Sequence, residues 1–196
     1  VSEKKRIALV LIDAFADWEY GLVAASAVAW FGCSLTVLTP GGRNVTSMAG
    51  LSALADGALE EADAGGFDAV LLIGSDGWAA GAAPEADGLA RAVHDRGGTV
   101  GAICGGTVAF ARSGLLDGRA HTSNAANWLR QTVGDYPGAD RYRDTPAAVT
   151  DDRIVTAPGT APATFAIAAL QSLFPGLQEQ IGEMRAMMAA EHEQGG

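Results

Sequence analysis

Four short apolar runs constrain this chain more than any other feature. Arg6 to Ile12 reads RIALVLI, Ser34 to Thr39 reads SLTVLT, Asp68 to Ile73 reads DAVLLI and Thr99 to Ile103 reads TVGAI. Each is too short for a core helix. Each is continuously apolar rather than alternating, as expected of strands covered on both faces in a parallel sheet. Ala-rich stretches of helical character lie between them. Asp17 to Phe31 is one. Pro84 to Arg96 is another, with Pro at its first turn and Gly97-Gly98 at its end. Strand and helix in alternation predict a mainly parallel sheet with helices on both faces.

The rest of the chain continues the theme. Gly42 to Asp63 is mixed and is expected to hold short edge strands. Thr107 to Ser113 and Asn124 to Val133 read as short helices. Ala147 to Thr150 and Ile154 to Ala157 flank Asp151-Asp152 and read as a hairpin. Thr160 to Leu173 is an apolar helix, and Leu177 to Glu193 a more amphipathic one. At 196 residues, with no linker or repeat in view, residues 1–196 are expected to form a single domain.

Composition removes several function classes. The net charge of −10 argues against a general nucleic-acid binder, which needs a basic face. No apolar run reaches transmembrane length, so no membrane partner is expected. The opening VSEKKRIALVLIDAF loosely mimics a signal peptide, but the apolar run stops at Asp13 without a cleavage-site pattern, so a first core strand is the better reading. Two cysteines, Cys33 and Cys104, cannot make a disulfide scaffold; a cytoplasmic protein with free thiols is the expectation. The three histidines lack metal-ligand spacing, so no metal and no cofactor are expected.

The chemistry concentrates where TVGAI runs into Cys104, Gly105, Gly106 and a helix. Strand, sharp turn, helix is the form of a nucleophile elbow. The turn projects the side chain from the sheet and the glycines clear space around it. The helix start behind the thiol is expected to lower its pKa, and exposed N–H groups there can hold an oxyanion. The alternative is a small buried hydrophobe at a strand end. Cys33, between Gly32 and Ser34, reads as packing.

Several segments, in order along the chain, resemble the DJ-1/PfpI family of the class I glutamine amidotransferase-like superfamily. They are ADWE at Ala16 to Glu19, LLIGSDGW at Leu71 to Trp78, AICGGTVAFARSGLLDGRAHTSN at Ala102 to Asn124, and TAPGTAPATFA at Thr156 to Ala166. The details are most similar to a bacterial branch labelled intracellular protease/amidase. The resemblance implies a flavodoxin-like three-layer α/β/α sandwich. It implies that Cys104 is the nucleophile and that Glu19 meets it as a protonated carboxyl. A carboxyl beside a thiolate in a desolvated site has its pKa raised. Taken alone, Glu19 would read as a first-turn charge suited to the helix dipole. Asp17 would then cap that helix. Gly74 and Gly105 would supply oxyanion N–H groups. Homodimers are common in the family, so a homodimer is implied, and the cluster of Met184, Met187 and Met188 suits core or dimer packing.

The chain also departs from the family pattern. Members with peptidase activity usually carry His directly after the cysteine; here Gly105 stands there. The His that some members place on the next strand is aligned with Ser123, with His121 two residues earlier. His121 either reaches the pocket from the same strand face or is a strand-end histidine bonded to backbone. His94 in RAVHDRGG is expected in solvent, and His192 at a frayed end. Asp76 and Trp78 follow the glycine turn, where Trp78 would wall a pocket and Asp76 cap the next segment, with loop packing the alternative. Asp13 and Thr160 are weaker pocket candidates.

Three functions follow. The first is a cysteine-dependent hydrolase, hydratase or glyoxalase-like lyase acting on a small electrophilic substrate. The second is a redox or stress-response protein using oxidation of Cys104. The third is a non-catalytic binding module on the same fold. Fold alone does not choose among them.

Overall fold

The computed structural model describes residues 4–193, with side chains through residue 190. An interior strand, β1 (Arg6–Val10), shows why the apolar runs are continuous. Ile7 and Leu9 enter the core on one face, and Ala8 and Val10 the core on the other. Side chains alternate with period two, so burial on both faces demands an apolar residue at every position.

The strands β2 (Ser34–Thr39), β5 (Gly57–Ala58), β6 (Ala69–Leu72), β7 (Thr99–Ile103), β8 (Val149–Asp151) and β9 (Ile154–Ala157) complete a seven-stranded sheet. Its order is β5-β2-β1-β6-β7-β9-β8. All neighbours are parallel except β8, which runs antiparallel to β9 as the outer arm of the hairpin. The remaining strands, β3 (Val45–Thr46) and β4 (Ser52–Ala53), pair only with each other. This small ribbon and β5 are the edge strands expected between Gly42 and Asp63.

Helices cover both faces. Leu89 and Val93 of α2 (Glu85–Asp95), Phe110 of α3 (Thr107–Arg112) and Leu129 of α4 (Ala126–Val133) fill one core. Val23 of α1 (Asp17–Ala29), Phe165 of α5 (Pro162–Leu173) and Met184 of α6 (Gln178–Glu193) fill the other. This is the three-layer flavodoxin-like arrangement. Cys33 is buried among the second group, as packing requires. Met188 packs partly against that core, whereas Met187 is exposed.

Two local expectations need correction. Asp17 is not the cap of α1. The cap position is Ala16, whose N–H is tied to the Gly74 carbonyl at 2.9 Å, which starts the helix one residue earlier than the acidic side chain would. The Asp17 carboxylate instead accepts from the Ala49 N–H at 3.0 Å and anchors the loop between β3 and β4. His94 is not in solvent. It is buried, and its Nε2 lies 2.8 Å from the Asp152 carbonyl, in the turn joining β8 to β9. That turn has positive φ at both Asp152 and Arg153, and the end of α2 packs against it. His192 lies outside the residues whose side chains are described.

The topology also fixes where a site can form. After β1 the chain moves outward to β2, and later β6 takes the other side of β1. Neighbouring crossovers leave in opposite directions there, opening a crevice at the carboxyl ends of the strands. The segments after β1, β6 and β7 all emerge at that edge.

Candidate active site

Cys104 follows β7 directly and opens a single 3-10 turn, Cys104–Gly106, that leads into α3. Its φ is +56°, a left-handed conformation that costs a non-glycine residue roughly 1–2 kcal/mol. The turn lifts the side chain out of the strand line and leaves it partly accessible. The carbonyl of Cys104 is pinned from below. Thr107 Oγ1 donates to it at 2.6 Å and sits 2.7 Å from Ser123 Oγ.

Glu19, one turn into α1, is fully buried beside the thiol. The Gly74 N–H donates to its Oε2 at 2.7 Å. Its Oε1 is also buried and has no hydrogen-bond partner. Burial raises the Glu19 pKa from an ordinary 4.5 to about 6, with the Gly74 N–H and the Cys104 thiol pulling the other way. Burial, reinforced by the charge of Glu19, pushes the Cys104 thiol up to about 11; the Asn124 amide and the Gly105 N–H oppose it. The helix behind the elbow therefore does not lower the thiol as expected. At six residues, α3 has little dipole to offer, and burial beside a carboxyl outweighs it.

Sequence reasoning missed Asn124. Its Nδ2 donates to Cys104 Sγ at 3.1 Å, and its Oδ1 accepts from the Gly159 N–H at 2.9 Å. The second bond fixes which end of the amide faces the sulfur, because a backbone N–H can only be met by the oxygen. Asn124 stands in the sequence as the last letter of HTSN and the start of a short helix, and nothing about an asparagine there marks it as a thiol ligand. Trp18 was missed for a similar reason. It is exposed and its indole N–H donates to the Gly159 carbonyl at 2.9 Å, so it stands over the same loop.

Glycines make this crowding possible. A Cβ on Gly159 would lie 2.8 Å from Glu19 Oε1 and 3.0 Å from Cys104 Sγ. One on Gly74 would lie 2.6 Å from Cys104 Cβ. Gly105 packs against the backbone of Ser75 and leaves no room for a side chain. Three glycines, at three turns, thus converge on one sulfur.

The other candidates fall elsewhere. His121 does not meet the thiol. It is buried, with Nδ1 2.9 Å from the Arg119 carbonyl and Nε2 2.7 Å from the Tyr136 hydroxyl, so both nitrogens are engaged. Burial lowers its pKa, which keeps the ring neutral. Gly74 is at the site, but its N–H is bonded to Glu19 and is not free for an oxyanion. Trp78 cannot wall a pocket: it is fully buried, with its indole N–H on the Ile73 carbonyl at 2.7 Å. Asp76 is exposed, and the cap of its turn is Ser75, whose Oγ accepts from the Gly77 N–H. Asp13 accepts from the Thr46 N–H and holds β3 in place. Thr160 is exposed next to Gly159. Among the described residues no group of three or more His, Cys, Asp or Glu side chains could hold a metal ion. No described helix is long and apolar enough to cross a membrane.

Fold and site together define a flavodoxin-like α/β protein with a cysteine elbow and a buried acid at the carboxyl edge of its sheet. The chain belongs to the DJ-1/PfpI family, whose model matches residues 5–172. It is similar to the DJ-1 superfamily protein Atu0886 from Agrobacterium tumefaciens. That crystal structure is 38% identical, has a TM-score of 0.87, and covers 96% of this chain and 99% of its own. The thiJ/pfpI family protein from Bacillus anthracis is 26% identical with a TM-score of 0.76, covering 93% and 96%. Among curated proteins, the uncharacterized protease YoaZ of Bacillus subtilis (strain 168) is 33% identical over 181 residues, 87% of this chain and 84% of that one.

Proposed function

We propose that this chain is a cysteine-dependent enzyme that adds Cys104 to a small electrophilic carbon, of a carbonyl, imine or amide. The observation that carries this is the buried Glu19 with one oxygen unpartnered beside the thiol. A buried polar atom without a partner needs an explanation. A shared proton supplies it, moving between the sulfur and Oε1, while Oε2 accepts from Gly74. Thiol and carboxyl then titrate as a pair. Between about pH 6 and about 11 the pair holds one proton and one negative charge. Burial and the charge of Glu19 hold that proton on sulfur at rest, and the donors Asn124 and Gly105 lower the cost of moving it to the carboxyl.

The reactive form is a thiolate beside a carboxylic acid, reached from a thiol beside a carboxylate when the shared proton moves from sulfur to Oε1. Sulfur donates an electron pair to the carbonyl carbon, the carbonyl π pair moves to oxygen, and Glu19 gives that oxygen its proton. The product is a neutral hemithioacetal and a carboxylate, and the reverse transfer restores the pair.

Peptide hydrolysis is the activity this geometry supports least. It needs a base that passes a proton to a leaving amine. Gly105 follows the cysteine and His121 is engaged with Arg119 and Tyr136. The protease name belongs to the Bacillus relatives. Steady-state rates on a panel of small aldehydes and amides, for wild type, Cys104→Ser and Glu19→Ala, test the proposal. Loss of turnover in both variants is expected. Equal rates for wild type and Cys104→Ser would sink it.

A second reading rests on the same donors. Asn124 Nδ2 and the Gly105 N–H are placed to hold the oxygens of a sulfinate formed by peroxide. Intact mass after mild peroxide separates the two readings. Uptake of two oxygens at Cys104 with no turnover of any aldehyde or amide would favour redox sensing.

A further inference from the structure

A cavity of about 560 Å³ opens at the opposite edge of the sheet, where β1 and β7 begin. Cys104 lies at the far end of β7, so the cavity is roughly 15 Å from the thiol at about 3.3 Å per strand residue. Lys5, Arg6, Arg96 and Arg153 line it, against the single carboxylate of Asp68. In a chain with 13 basic residues and a net charge of −10, four cations around one hollow are a pronounced local reversal.

The pairing within the cluster leaves charge over. Asp68 accepts from Lys5 Nζ at 3.0 Å and from the Arg6 backbone N–H at 2.8 Å, and these contacts, working against burial, hold its carboxyl below the ordinary value. It therefore offsets about one positive charge. Arg153 has Asp152 at 3.8 Å, a carboxylate already bonded by Arg119 at 3.1 Å. Arg6 and Arg96 have no ion-pair partner among the described residues. The Arg6 guanidinium is oriented by a bond to the Gly65 carbonyl at 3.1 Å. Arginine forks near a concave wall are suited to phosphate oxygens. The cavity is far larger than a phosphate ion needs, and its volume falls in the range of small-molecule sites. Phe67, half-buried on the wall, offers a ring face.

We propose that this cavity binds a small organic phosphate, with its anionic head among Arg6, Arg96 and Arg153 and a ring against Phe67. A long polyanion would meet the repulsion of the remaining acidic surface; a molecule that fits inside the hollow does not.

Isothermal calorimetry on the whole chain at low ionic strength tests this with ADP, pyrophosphate and inorganic phosphate. ADP is expected to bind more tightly than pyrophosphate and to weaken with added salt. The exposed pair Arg96→Gln with Arg153→Gln is expected to lose at least about tenfold in affinity, since each charged hydrogen bond is worth a factor of that order. Its melting temperature, unchanged from wild type, shows the fold intact. Alkylation of Cys104 is expected to leave ADP binding unaltered. No measurable heat with any probe would overturn the site, as would unchanged affinity in the double variant. Equal affinities for ADP and pyrophosphate would overturn the ring contact, and loss of binding on alkylation would place the ligand at the elbow instead.

Discussion

Glu19→Gln separates the titration of the Cys104–Glu19 pair from everything else that pH does to an acidic protein. Glu19 is fully buried, and its pKa rises from 4.5 to about 6 on folding, chiefly through burial. Because the folded value is the higher one, the stability supplied by the protonated carboxyl is complete below 4.5 and is lost as pH rises through about 6. The shift of about 1.5 units corresponds to about 2 kcal/mol at 1.36 kcal/mol per unit. Glutamine has nothing to titrate. Whatever constant offset it brings, the unfolding free energy of Glu19→Gln should gain about 2 kcal/mol on wild type between about pH 4 and about pH 7. Urea unfolding at matched pH, followed by fluorescence, measures it. A difference that stays flat across that interval would show that Glu19 ionises as an ordinary carboxylate, and the pair would not exist. Alkylation then locates the proton. If the pair supplies a thiolate by passing the proton from sulfur to the carboxyl, the wild-type rate rises near pH 6, and in Glu19→Gln it moves to higher pH. A wild-type rate that rises only near 11 would show that the proton does not pass from sulfur to the carboxyl and would remove the nucleophile.

Three further substitutions probe the surroundings. Asn124→Ala removes the amide from the sulfur and leaves the Gly159 N–H without its acceptor; alkylation at neutral pH should slow by about tenfold, the effect of roughly 1.4 kcal/mol on the thiolate, and an unchanged rate would deny the amide its role. Gly159→Ala puts a methyl 2.8 Å from Glu19 Oε1 and 3.0 Å from the sulfur; a loss of about 1–3 kcal/mol in urea unfolding is expected, as for overpacking elsewhere. His94→Ala opens a gap under the turn between β8 and β9 and frees the Asp152 carbonyl; it should cost about 1–3 kcal/mol, whereas a solvent-exposed histidine would cost about nothing.

The strands were legible because their constraint is local and repeated. A position such as Val10 or Leu71 is covered whichever face it takes, so the whole run must be apolar. The elbow was legible for a similar reason: a strand, a cysteine, two glycines and a helix follow one another without interruption. His94 was misread because a polar helix sequence does not show that its last turn meets a hairpin from 58 residues further along the chain. Trp78 was misread because a tryptophan in a loop suits a pocket wall and a core equally, and only its bond to the Ile73 carbonyl decides.

The site itself shows a deeper limit, since its chemistry belongs to pairs rather than to residues. Glu19 becomes unusual only because the end of β6 brings the Gly74 N–H to one of its oxygens and β7 brings a sulfur near the other. His121 has the chemistry of a base, yet Tyr136 and Arg119, both in irregular segments, take both its nitrogens. Asn124 has no acid–base chemistry at all, yet the backbone of Gly159 turns its amide toward the thiol. A residue type therefore proposes a role, and the partner arriving from elsewhere in the chain grants or withholds it. At this elbow the position that histidine would occupy for hydrolysis holds a glycine, and the groups within reach of sulfur are a proton carrier and neutral donors. On the proposed mechanism such a set forms and releases an adduct at a small carbonyl, the one proton required being held within the pair. It has no second proton carrier to expel an amine, and for that reason the chemistry should stop at addition and leave an amide's carbon–nitrogen bond intact.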